Sequence, residues 1–125
     1  MPNTGQPLAK LNVLIVEDQY LIADEMRRLV TALGGTVVGP CATVDEAIAR
    51  LKSDTVQFAV LDLNLRGHSA EPVAAELTRR SIPFAFASGY EDWVIPSSYA
   101  DHLWLEKPVT AKALAEVVRR TTPRP

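Results

Sequence analysis

The chain has 125 residues, 47% hydrophobic and 22% charged, with a formal net charge of −2. This is the composition of one soluble globular domain, large enough to bury a core without disulfides or structural metal. The acidic balance argues against direct nucleic-acid binding, and no apolar run is long enough to span a bilayer. Cys41 is the single cysteine, which excludes an internal disulfide and a cysteine zinc cluster.

Residues 1–9 are expected to be a disordered tail, because Met1 to Pro7 is polar and Pro-rich. That start has no basic stretch leading into an apolar one, so no signal peptide is read and the expected location is the cytoplasm. Residues 10–121 form the expected domain, followed by a short tail over 122–125.

Val13-Leu14-Ile15-Val16 is continuously apolar and β-branched, the pattern of a strand covered on both faces. Ile22, Met26, Leu29 and Leu33 recur at helical spacing, with Gly34 placed to end the helix. Thr36 to Gly39 reads as a second strand stopped by Pro40. Thr43 and Glu46 match a capping box that opens a second helix.

Phe58 to Leu61 is the third strand. A loop over Arg66-Gly67-His68-Ser69 follows, and then a helix with Pro72 in its first turn. Phe84 to Ala87 is the fourth strand. The stretch from Gly89 to Asp101 is ambiguous, since Trp93, Val94, Ile95 and Tyr99 suggest a helix that Pro96 interrupts. Leu103 to Leu105 is the fifth strand, and Thr110 caps the last helix.

Strand–helix alternation implies an α/β fold. It is a doubly wound, five-stranded parallel sheet of flavodoxin-like order 2-1-3-4-5 with helices on both faces. In such sheets ligands bind beyond the carboxyl ends of the strands. Glu17-Asp18 follows the first strand, Asp62 the third and Ser88 the fourth, and Lys107-Pro108 follows the fifth.

Three clustered carboxylates repel one another, and a hard divalent cation relieves the repulsion. Asp18 and Asp62 are candidate direct Mg²⁺ ligands, with Glu17 direct or through water and the Asn64 backbone carbonyl as a further donor. Asp18 is also placed to cap the first helix. Asp62 is the candidate nucleophile toward a phosphoryl group. Lys107 and Ser88 would balance its other oxygens, and Lys107-Pro108 is a candidate cis peptide.

Val16-Glu17-Asp18, Leu61-Asp62-Leu63-Asn64, Ala87-Ser88-Gly89 and Lys107-Pro108 together resemble the receiver domains of two-component response regulators, the CheY-like family. The resemblance spans about Leu11 to Arg120. It implies Mg²⁺-dependent phosphorylation of Asp62 by a sensor histidine kinase or a histidine phosphotransfer protein. It also implies signalling through a partner bound at the face of the fourth helix, fifth strand and fifth helix, with no turnover of an external substrate. Pro83-Phe84-Ala85-Phe86-Ala87-Ser88-Gly89-Tyr90 resembles the "FAT GUY" receivers, mostly stand-alone regulators.

In the family, the position of Tyr90 tunes phosphate lifetime. Trp104 stands where many members carry a switching Tyr or Phe, and Val109 replaces a frequent Phe. These departures put the usual aromatic switch in doubt. The alternatives are a haloacid-dehalogenase-type phosphatase, which expects an Asp where Asn64 stands, a flavodoxin-like cofactor binder, and a receiver segment of a larger regulator.

Overall fold

The computed structural model describes residues 6–65, 67–89 and 103–121, with Asn64 in its main chain alone. The elements are β1 (Asn12–Val16), α1 (Tyr20–Ala32), β2 (Thr36–Cys41), α2 (Val44–Ser53), β3 (Phe58–Asp62), β4 (Asn64–Leu65), β5 (His68–Ser69), α3 (Glu71–Arg79), β6 (Phe84–Ser88), β7 (Trp104–Glu106) and α4 (Ala111–Thr121). Five strands form a parallel sheet in the order β2-β1-β3-β6-β7. Counting sheet strands alone, this is the expected 2-1-3-4-5. The expected helix between β6 and β7 lies outside the described residues, as do the 122–125 tail and residues 1–5.

Residues 13–16 of β1 and 58–61 of β3 are apolar without interruption because both faces of these strands are covered. Leu14, Val16, Ala59, Leu61 and Phe86 point to one side, where Ala47 and Leu51 of α2 and Val73, Ala74 and Leu77 of α3 pack on them. Val13, Ile15, Val60, Ala85 and Leu105 point to the other, against Met26 and Val30 of α1 and Leu114, Val117 and Val118 of α4. The two-residue period of the strands therefore sorts one sequence into two cores.

Capping follows the sequence pattern. Thr43 Oγ1 accepts the Glu46 amide at 3.1 Å, and Thr110 Oγ1 accepts the Ala113 amide at 3.1 Å. Caps of this kind contribute about 1 kcal/mol each. Asp18 does not cap α1. That helix starts after Gln19, whose side chain makes no capping bond.

Three local expectations are corrected. The second strand does not stop at Pro40 but runs to Cys41. It lies at the edge of the sheet, where a residue without an N–H is tolerated. The loop after Asp62 contains a short antiparallel hairpin, with Asn64 opposite Ser69 and Leu65 opposite His68. Residues 6–9 are not a tail. Leu8 is fully buried and its amide donates to the Leu33 carbonyl at 3.0 Å, so an apolar plug closes the base of the α1 side.

Candidate functional site

β1 and β3 are paired neighbours, with Val16 opposite Leu61. Each ends in acidic residues at the same edge of the sheet. There Glu17, Asp18 and Asp62 each place a carboxylate oxygen within 4.8 Å of the others. Glu17 and Asp62 are the buried polar residues among those described, 2% and 3% exposed. Their burial matters because a desolvated carboxylate needs a partner.

Lys107 supplies part of that partnership. Its Nζ lies 2.9 Å from Glu17 Oε1 and 3.1 Å from Asp62 Oδ1. The lysine is aimed by its backbone, since its amide donates to the Ser88 carbonyl at 2.9 Å. The Lys107-Pro108 bond is cis, as the sequence suggested. Glu17 Oε2 accepts the Gln19 amide at 3.2 Å. Glu17 Oε1 has no aligned hydrogen-bond donor despite the nearby ammonium.

The electrostatics follow from this crowding. Burial first, and then the contact and charge of Glu17, push the Asp62 carboxyl up to about 7 against the pull of Lys107. Burial also works against the Lys107 charge, but Glu17 and Asp62 outweigh it and hold the ammonium above its ordinary value. Two buried carboxylates thus share the Lys107 ammonium. A buried carboxylate oxygen without an aligned donor, beside two more carboxylates, is a set of hard oxygen donors that suits a divalent cation such as Mg²⁺.

Ser88 ends β6, half-buried, one residue past Ala87, which pairs with Asp62. The β4–β5 hairpin holds the main chain at Asn64, two residues beyond Asp62. Trp104 sits lower on the sheet, its ring stacked on Phe86 at 4.8 Å and 24°. Tyr90 lies outside the described residues. The sequence pattern points Lys107 toward the phosphoryl group alone. Its contact with Glu17 carries no sequence signal, because the two residues are ninety positions apart.

No family model matches the chain. SdrG from Sphingomonas melonis Fr1 superposes with a TM-score of 0.80 at 38% identity, covering 91% of this chain and 96% of that one. The chain belongs to the response-regulator receiver family.

A structure of the BeF3-activated conformation of SdrG, from Pseudomonas melonis Fr1, superposes with a TM-score of 0.76 at 39% identity, covering 89% of this chain and 95% of that one. The signal receiver domain of a modulated diguanylate cyclase from Desulfovibrio desulfuricans G20 gives 0.78 at 28% identity, covering 89% and 92%. The positive alginate biosynthesis regulatory protein of Pseudomonas aeruginosa is 31% identical over 117 residues, 90% of this chain and 47% of that protein. The receiver chain spans about half the length of the curated relatives it matches. Receiver domains are signalling modules and not classical enzymes. No described helix is long and apolar enough to cross a membrane.

Proposed function

We propose that this receiver is a Mg²⁺-dependent phosphoacceptor that takes a phosphoryl group from a histidine kinase, or a histidine phosphotransfer protein, onto Asp62. The observation that carries this reading is one cluster: three carboxylate oxygens within 4.8 Å, with a lysine ammonium 3.1 Å from the Asp62 oxygen. Phosphoryl transfer asks the protein mainly for positioning and charge neutralisation, and the cluster provides both.

Glu17, Asp18 and Asp62, with the Asn64 carbonyl, would hold the cation. When bound, it neutralises charge on the phosphoryl oxygens. The residues of the chain do the rest. An Asp62 oxygen attacks phosphorus as the P–N bond to the donor imidazole breaks, and the imidazole leaves with the bonding pair and takes up a proton. Lys107 moves from its two carboxylate contacts toward a phosphoryl oxygen, and Ser88 donates to another. The product carries about −1.5 to −2 added charge at Asp62. That charge favours a second conformation and so alters partner binding, which fits a cytoplasmic signalling role.

Incubation with acetyl phosphate, with and without Mg²⁺, tests the reading by intact mass. The wild type should gain a single phosphoryl group only with Mg²⁺, and Asp62→Ala should gain none. Repeated turnover of phosphate esters would instead favour a hydrolase.

A further inference from the structure

β2 does not run beside β1 in uniform register. Asn12, Val13 and Leu14 face Thr36, Val37 and Val38, but Val16 faces Cys41. β1 advances two residues while β2 advances three, which is a bulge of one extra residue on the edge strand. The extra residue reverses the alternation beyond it. Cys41 thereby turns into the core shared with Leu14, Val16 and Val38, where uniform pairing would turn it the other way. The Cys41 carbonyl then accepts the Glu17 amide at 2.9 Å. Pro40 and Ala42, on either side of Cys41, line a cavity of about 360 Å³ together with Glu17 and Asp18.

Gly39 makes this bulge possible. Its φ is +97°, and a Cβ there would lie 2.8 Å from the Cys41 nitrogen and 3.1 Å from the Ile15 carbonyl oxygen. Both are main-chain atoms of the bulged pairing itself, so a side chain could enter only by displacing it.

We propose that Gly39 is a positioning residue for the acidic site, acting through Cys41 on the main chain at Glu17. The inference rests on the reading of Glu17, Asp18 and Asp62 as cation ligands. It adds that their approach depends on an edge-strand glycine that touches none of them in sequence.

Gly34 provides the control. Its φ is +94°, close to that of Gly39, but a Cβ there would meet the Gln6 side chain, beyond the other end of β2. Both Gly39→Ala and Gly34→Ala should lower the melting temperature. Mg²⁺ titration by calorimetry separates them. Gly39→Ala should weaken Mg²⁺ binding about tenfold or more, and Gly34→Ala should leave it at the wild-type value. Equal Mg²⁺ affinity in the wild type and Gly39→Ala overturns the role of Gly39 while leaving the cation reading intact. No Mg²⁺ binding by the wild type overturns the cation reading and the inference with it.

If Gly39→Ala shows no cooperative unfolding, hydrogen exchange on the wild type decides, because coupling between bulge and cation is reciprocal. Mg²⁺ should slow exchange of the Glu17 amide more than that of the Leu8 amide at the opposite end of the strands. Equal slowing of the two overturns the inference.

Discussion

Phe86 and Trp104 face each other in register on β6 and β7, their rings 4.8 Å apart and 24° from parallel. Phe84 meets Phe86 edge-on, their ring centroids 5.6 Å apart. Stacked and edge-to-face pairs add about 0.5–1.5 kcal/mol beyond their buried area. The stack anchors Trp104 to the sheet, which opposes a swing of its ring out of this position. In a Trp93→Phe background Trp104 is the sole tryptophan. Its acrylamide quenching should then stay the same when beryllofluoride and Mg²⁺ are added, and a clear rise in quenching would show that the ring leaves the stack.

Lys107 is held between Glu17 and Asp62 at 2.9 and 3.1 Å. Truncation to Ala removes the ammonium that the two buried carboxylates share, and breaking a buried pair in this way costs about 3–5 kcal/mol. Urea unfolding of Lys107→Ala in EDTA should show a loss of this order. Mg²⁺ should restore a larger share of stability to the variant than it adds to the wild type, because the metal replaces the missing charge. An equal Mg²⁺ increment in both proteins would contradict this.

The raised Asp62 carboxyl sets a pH dependence. It titrates near 7 in the folded chain and near 3.9 when unfolded. Between those values the native state holds a proton that the unfolded state has lost, so stability declines as pH rises from about 4 to 7. The arginine-paired Glu76, half-buried on α3, acts elsewhere. Glu76 is drawn down to about 2 by Arg79 and Arg80, so its contribution falls away only at lower pH. Urea midpoints in EDTA should therefore fall between pH 5 and pH 8 in the wild type and stay nearly level in Asp62→Asn. Mg²⁺ should stabilise more at pH 8 than at pH 5, because at the lower pH a proton competes for Asp62. A flat wild-type profile would remove the argument.

Much of this arrangement is legible in the sequence because the residues that build it act locally. The apolar runs of β1 and β3 announce strands covered on both faces, and each run ends directly in its site carboxylates. Thr43 and Glu46 mark a helix start by a contact three residues apart. Other features depend on tertiary context. Pro40 reads as a strand terminator, and only its place on the edge strand makes it admissible. The β4–β5 hairpin is two residues per strand, too short for a periodic pattern. Leu8 directly follows a polar, proline-rich stretch and begins no periodic pattern, and its burial comes from packing in the core with Val30 and Leu33 of the α1 side. The Glu17–Lys107 contact joins the first and last strands of the chain, and no spacing rule reaches that far.

The burial of Leu8 carries its own expectation. Leu8→Ala should lower unfolding free energy by about 2–5 kcal/mol, the usual cost of a core Leu truncation. Leu8 lies at the end of the sheet away from the carboxylates, so Mg²⁺ affinity by calorimetry should not change. A loss of Mg²⁺ binding in this variant would mean that the two ends of the sheet are coupled.

Calorimetric titration of beryllofluoride in the presence of Mg²⁺ tests the central claim most directly, since it asks for the cation site and the Asp62 oxygen together. The wild type should bind one equivalent, with no heat when Mg²⁺ is omitted and none in Asp62→Ala. Binding that persists without Mg²⁺ or without the Asp62 carboxylate would contradict a phosphoacceptor built on this cluster.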